Sequence, residues 1–163
     1  MTPPGAVPPD RHPALPLLGW LALCFAASLG AVFVANDRWY LGLVKPSWNP
    51  PAWAFGPIWT VLYILMAVSA WLIWHKGGWK KQGRALGWFL VQLLLNAVWT
   101  PLFFGRHQLG LAFAEILVLW VALAITLGLF WRIRKTAAVL LIPYLVWVSI
   151  AAALNLAIWR LNP

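Results

Sequence analysis

Three apolar runs of this chain carry aromatic and amide side chains at helical spacing: Trp59, Tyr63 and Met66; Gln92, Asn96 and Trp99; Trp147, Ala151 and Asn155. Steps of three and four residues place each set on one face of a helix. Indoles and phenols offer broad stacking faces with one donor each, and amides offer both donors and acceptors. Such stripes can hold a flat ligand by stacking and hydrogen bonding. The same amides can equally be interhelical glue, because an amide in lipid is costly unless it pairs with another helix or with a ligand. Both readings require Gln92, Asn96 and Asn155 to point inward. Ahead of the first stripe, Pro46, Pro50 and Pro51 fix φ and push the residue before each toward extended geometry. The segment holding Trp48 and Trp53 therefore reads as a shaped lid over whatever the stripes hold.

Other chemistries lack their residues. There is neither a nucleophile with a partnered base nor a phosphate loop. His12, His75 and His107 all fall outside the apolar runs or at their ends, so a metal constellation or a mid-membrane haem ligand is not expected, and no cofactor is. A metal-free planar ring stacked on indoles, its acid groups near Arg38 or Lys45, fits better. Glu115 is the only acid inside a run, about 9 Å past the start of the fourth at 1.5 Å per residue. Intramembrane carboxylates are functional candidates, but this depth favours pairing with Arg106 or His107, or a place near the headgroups. A proton-relay pump would need further acids along a path.

These residues must be positioned by membrane-spanning helices. The chain has 163 residues, 63% hydrophobic and 9% charged, with a mean hydropathy of +0.81, unlike any ordinary soluble domain. Runs free of charge and histidine extend from Pro13 to Asn36, Pro46 to Trp74, Ala85 to Gly105 and Thr136 to Trp159, and Gln108 to Trp131 is broken only by Glu115. Each can supply the roughly 20 residues that cross a hydrocarbon core. They are too long and too uniformly apolar for barrel strands, which alternate.

The expectation is an all-α membrane protein, a five-transmembrane-helix bundle forming one domain over residues 15–163 after a disordered, proline-rich tail at 1–14. Helices are expected over about Leu15–Ala35, Ala54–Trp74, Arg84–Phe104, Leu109–Trp131 and Ala137–Trp159, with a short interfacial helix around Trp39, Tyr40 and Leu43 capped by Asn36 or Asp37. Gly77, Gly78, Lys80 and Lys81 read as one turn, and Arg132 to Lys135 as another.

The net charge of +9 resides in the connections, which points to a lipid bilayer rather than nucleic acid as partner. With alternating spans, side A (the N-terminal side) carries Arg11, Lys76, Lys80, Lys81, Arg84, Arg132, Arg134 and Lys135. Side B carries Arg38, Lys45, Arg106 and Arg160, and also the lid. Eight against four makes side A cytoplasmic in a plasma membrane, and a bacterial cell envelope is expected rather than an organelle. Of the 14 tryptophans, Trp20, Trp71, Trp74, Trp79, Trp88, Trp131 and Trp159 read as an interfacial belt, whereas Trp59, Trp120 and Trp147 lie deeper. The lone Cys24 excludes an intramolecular disulfide. Gly83 and Gly87 form a small-xxx-small pair that suits a homodimer.

The lid residues, the segment NAVWTPLFFG from Asn96 to Gly105 and the segment IPYLVWVSIAAALNLAIWRLN from Ile142 to Asn162 together resemble the translocator protein family. It is also called the tryptophan-rich sensory protein or peripheral-type benzodiazepine receptor family. The resemblance runs from about Leu17 to Asn162. It implies a five-helix bundle, often dimeric, whose ligand cavity is closed by the loop between the first two helices. The ligands it implies are porphyrins such as protoporphyrin IX, sterols and isoquinoline carboxamides. Carried over by motif, Trp59, Tyr63, Asn96, Trp99, Trp147, Ala151 and Leu154 resemble pocket residues, with Trp48, Trp53, Ala54 and Phe55 in or below the lid.

The resemblance also implies, for Trp59 and Trp147, a catalytic role if porphyrin is degraded with light and oxygen. A receptor or carrier, such an activity, and a dimeric regulator acting through partner proteins all remain open. Two positions depart from the family pattern. Leu156 stands where the family's cholesterol motif has tyrosine, and Leu111 replaces a tryptophan near the start of the fourth helix.

Overall fold

The computed structural model describes residues 14–30 and 38–163. Its elements are α1 (Ala14–Ala27), α2 (Arg38–Gly42), α3 (Ala52–Trp74), α4 (Gly78–Thr100) continued by a π-helical turn (Pro101–Gly105), α5 (Leu109–Ile133) and α6 (Lys135–Leu161). In lipid the backbone has no outside hydrogen-bond partner, so helices are the form such apolar runs must take. Four of them, α3 to α6, are long and apolar enough to cross a membrane, and α1 is a shorter apolar helix. Together they make a five-helix bundle, and the chain is a multi-pass membrane protein. Helix α1 packs on α3 and α4, α3 on α6, α6 on α5, and α5 back on α4.

Several boundaries differ from those read off the sequence. The first helix was expected to reach Ala35, but its α-helical part stops at Ala27. There the Ser28 hydroxyl and amide both bond the Phe25 carbonyl, at 2.7 and 3.0 Å, and close a turn instead of continuing the ladder. The remainder of that span, the Asn36 or Asp37 cap and most of the N-terminal tail lie outside the described residues.

The α3–α4 turn is made by His75, Lys76 and Gly77, and the chain reverses through positive φ at Gly77 and at Gly78, the first residue of α4 (+119° and +56°). Lys80 and Lys81 already belong to α4, which kinks at Gln82, where φ is −116°. Between α5 and α6 only Arg134 leaves helical geometry, its extended φ and ψ turning the chain in one residue.

Two packed zones follow. The larger fills the bundle from side A to its middle, around Met66, Phe89, Leu123, Phe130 and Tyr144. Trp20 belongs to it: 7% exposed, it stands edge-on to Trp74 and Phe89 at 6.1 and 5.5 Å, and is a core residue rather than the belt residue expected. Trp79, Trp131 and Trp159 are exposed near helix ends, as a belt requires. The smaller zone, around Phe103, Leu109, Ala112, Leu154 and Ile158, sits under the lid at side B.

At the seam between α5 and α6, Gly110 leaves room for the Trp159 indole, and a Cβ there would lie 2.9 Å from Cζ2 of that ring. Gly110→Leu is expected to destabilise the bundle by about 1–3 kcal/mol through overpacking. The thermal unfolding temperature should fall, and adding Trp159→Ala should restore part of it.

Candidate functional site

The centre of the bundle is organised by one carboxamide. Tyr63 of α3 donates its hydroxyl to Asn96 Oδ1 at 2.9 Å, and Asn96 Nδ2 donates to the Tyr144 hydroxyl of α6 at 3.0 Å. Three helices are tied through side chains that are all buried. One turn toward side B a second amide does the same. Trp99 Nε1 donates to Asn155 Oδ1 at 3.2 Å, and Asn155 Nδ2 donates to the Leu109 carbonyl at 2.9 Å, linking α4, α6 and α5.

Aromatic rings surround these bonds. Trp59 stacks on Tyr63 at 5.4 Å and meets Tyr144 edge-on at 6.3 Å, Phe55 meets Trp147 edge-on at 5.8 Å, and Trp99 stacks on Phe103 at 5.0 Å. Not all polar atoms are used. Trp147 Nε1 is buried with no acceptor, and both amide atoms of Gln92, one turn below Asn96 on α4, are buried without partners.

The lid is fixed at its edges. Asn49 N bonds the Pro46 carbonyl at 3.0 Å to close a turn at Ser47 and Trp48. Val44 N donates to Asn162 Oδ1 at 3.0 Å, and Asn162 Nδ2 donates back to the Val44 carbonyl at 2.9 Å, which clamps the start of the lid to the end of α6. Before the lid, Trp39 and Tyr40 of α2 pack against Phe103 at 6.0 and 6.2 Å. Lys45 places its ammonium 4.5 Å from the Tyr40 ring centroid and also bonds the Tyr40 and Leu43 carbonyls.

Phe103 can serve as this platform because Pro101 has no N–H for the helical ladder, so the last turn widens to i→i+5 bonding, with Arg106 N on the Pro101 carbonyl at 2.9 Å.

The sequence-derived residues divide into two groups. Tyr63, Asn96 and Leu154 are buried, and Phe55, Trp59, Trp99, Trp147 and Ala151 are half-buried, at or beside the two amides within the packed zones; Ala54 is also buried, at the start of α3. Trp48 and Trp53, at 51% and 77% exposure, lie outside that cluster.

Tyr144, which completes the central link, escaped the reading of the stripes. Its signal was its place three residues before Trp147. Trp120 lies near the middle of α5, as expected, but is 38% exposed and donates to Ser149 Oγ at 2.9 Å across the α5–α6 seam. The expected pairing of Glu115 with Arg106 or His107 is absent. Both carboxyl oxygens are buried without a hydrogen-bond partner, because Arg106 and His107 lie beyond the start of α5 and are exposed.

A model of the TspO/MBR family matches residues 16–160, which takes in α1, the lid and all four long helices. The chain belongs to that family.

Its similarity to individual TspO/MBR relatives is spread over nearly their whole length. It is 39% identical to the tryptophan-rich sensory protein of Cereibacter sphaeroides over 145 residues, 89% of this chain and 90% of that one. It is also 39% identical to the translocator protein of Homo sapiens over 155 residues, 92% of each. The tryptophan-rich protein TspO of Chlorobaculum tepidum is 40% identical over 152 residues, 88% of this chain and 96% of its own.

Two substitutions separate paired from unpaired polar groups in this TspO/MBR family member. Asn96→Ala removes both bonds of the central link. At about 0.6–2 kcal/mol per interhelical bond in a membrane, it should lower the thermal unfolding temperature clearly. Glu115→Leu removes a buried carboxyl that no protein group satisfies, and is expected to raise that temperature, since burying an unpaired polar group costs about 1–3 kcal/mol. A fall on Glu115→Leu would show that the carboxyl holds a partner.

Proposed function

We propose that this protein is a receptor or carrier for a flat tetrapyrrole of the protoporphyrin class, bound beneath the lid on side B. Family membership supports membrane binding or sensing of a small molecule without naming it, since relatives carry names as different as sensory protein and translocator protein. The observation that carries the choice of a planar ligand with polar edges is the buried Trp147 N–H, which has no acceptor although its ring packs edge-on against Phe55 in the same zone as Trp59 and Tyr144. A planar guest stacked on Trp59 and Trp147 would gain about 0.5–1.5 kcal/mol per ring pair beyond its buried area, and could accept that hydrogen. Asn96 would orient its edge by exchanging one tyrosine bond for a ligand bond. Sterols and isoquinoline carboxamides share the flat apolar body but offer fewer acceptors. Lys45 and Arg38, at the lid's base, suit acidic substituents.

A second reading, breakdown of porphyrin under light and oxygen, draws on the ring contacts from Trp59 to Tyr63 and Tyr144, which give an oxidised indole neighbours able to supply an electron. Binding and breakdown share one test. Purified protein is titrated with protoporphyrin IX, following the main porphyrin absorption band in the dark and under illumination. Saturable binding is expected, weakened roughly tenfold or more in the Trp59→Ala, Trp147→Ala double variant. Affinity unchanged in that variant would refute the proposed site. A new absorbing product that forms only in light and only with both tryptophans present would shift the conclusion to catalysis.

A further inference from the structure

Far from the lid, at side A, an open apolar groove of about 320 Å³ runs between α1 and the α3–α4 hairpin, walled by Trp20, Leu23, Trp74, Trp79 and Leu90. It extends from Pro16 to Leu23 along α1, about 10 Å at 1.5 Å per residue. Gly19 forms part of its floor, and a Cβ built there meets nothing within 4 Å. Gly19 places no side chain at that point, which leaves the space between the two indoles open.

The end of the bundle at which it opens is chemically distinct from its walls. The turn between Trp74 and Trp79 carries Lys76, and the start of α4 carries Lys80, Lys81 and Arg84, all four exposed. No described carboxylate lies at that end. Indoles settle at headgroup depth, so the two tryptophans put the cations level with lipid phosphates. Flexible ammonium groups suit a phosphate as point charges. An apolar slot opening to the membrane at the end of the bundle that carries these cations is complementary to one molecule type that the bilayer itself supplies.

We propose that this groove is a binding site for an anionic phospholipid, one acyl chain lying along Gly19 between Trp20 and Trp79 and the phosphate held by Lys76 of the α3–α4 turn with Lys80 and Lys81 at the start of α4. The site is separate from the one beneath the lid, and a lipid bound there braces α1, the shortest of the five apolar helices, against α3 and α4.

Native mass spectrometry of the full chain tests this, after equilibration in detergent with equal amounts of phosphatidylglycerol and phosphatidylcholine of the same acyl chains. One retained phosphatidylglycerol adduct is expected, favoured at least tenfold over phosphatidylcholine. Gly19→Leu should abolish it by filling the slot. Converting Lys76, Lys80, Lys81 and Arg84 to glutamine should keep an adduct but bring the two lipids near parity, each cation near an anionic headgroup being worth about fivefold in binding. The proposal is overturned by equal retention of both lipids in the wild-type chain, or by a preference that survives the glutamine variant. It is also overturned by a protein dimer in place of the adduct that Gly19→Leu dissolves, which would make a second copy the occupant. Should Gly19→Leu fail to fold, the glutamine variant decides alone.

Discussion

The membrane interior offers no hydrogen bonds, and everything else in this structure depends on that constraint. It forces the apolar runs into helices, and it makes each polar side chain within them either a link or an expense. Ser69 donates to the Ala137 carbonyl of the neighbouring helix at 2.7 Å, and Thr126 donates to Ala122 within its own. Asn96 and Asn155 each bridge three helices. Because these bonds have few alternatives in lipid, they fix the rotation of α3, α4 and α6 about their axes. That rotation decides which aromatic faces converge.

At the site the same constraint is met incompletely. Trp147 keeps an unused donor, Gln92 an unused amide and Glu115 an unused carboxyl, all on the helices that frame the site. A purely structural core would have dispensed with them, since apolar side chains of similar shape cost nothing to bury. On the proposed reading, that unspent polar capacity beside stacked rings serves a polar-edged planar guest. The lid above is the complement. Prolines give it shape, the Asn162 clamp anchors its start, and its rim tryptophans, Trp48 and Trp53, remain exposed where an incoming ligand would first meet them.

Much of this was legible in the residues. Charge-free runs located α3, α5 and α6 to within about two positions at each end but missed the basic first turns of α4, which begins at Gly78 rather than Arg84, and the steps from Trp59 to Tyr63 and from Asn96 to Trp99 identified faces that are indeed inward. What escaped the reading depended on partners distant in the chain. Tyr144 is an ordinary tyrosine until α6 is docked against α3 and α4. Trp20 reads as a belt residue from its nearness to a span end, but Phe89 and Trp74 enclose it. Glu115 lies close enough in sequence to Arg106 and His107 to suggest a pair, yet the π-helical turn and the bend after it carry those residues outward.

The sequence by itself determined a multi-pass, all-helical membrane protein, the proline-shaped lid and the inward stripes, because hydropathy, helical period and proline geometry are local properties. Only the tertiary structure decided which stripe meets which. The Tyr63–Asn96–Tyr144 link, the unsatisfied Trp147 and Glu115, and the groove beside Gly19 all arise from how helices rotate and pack against one another, and that rotation is set by contacts between residues far apart in the chain.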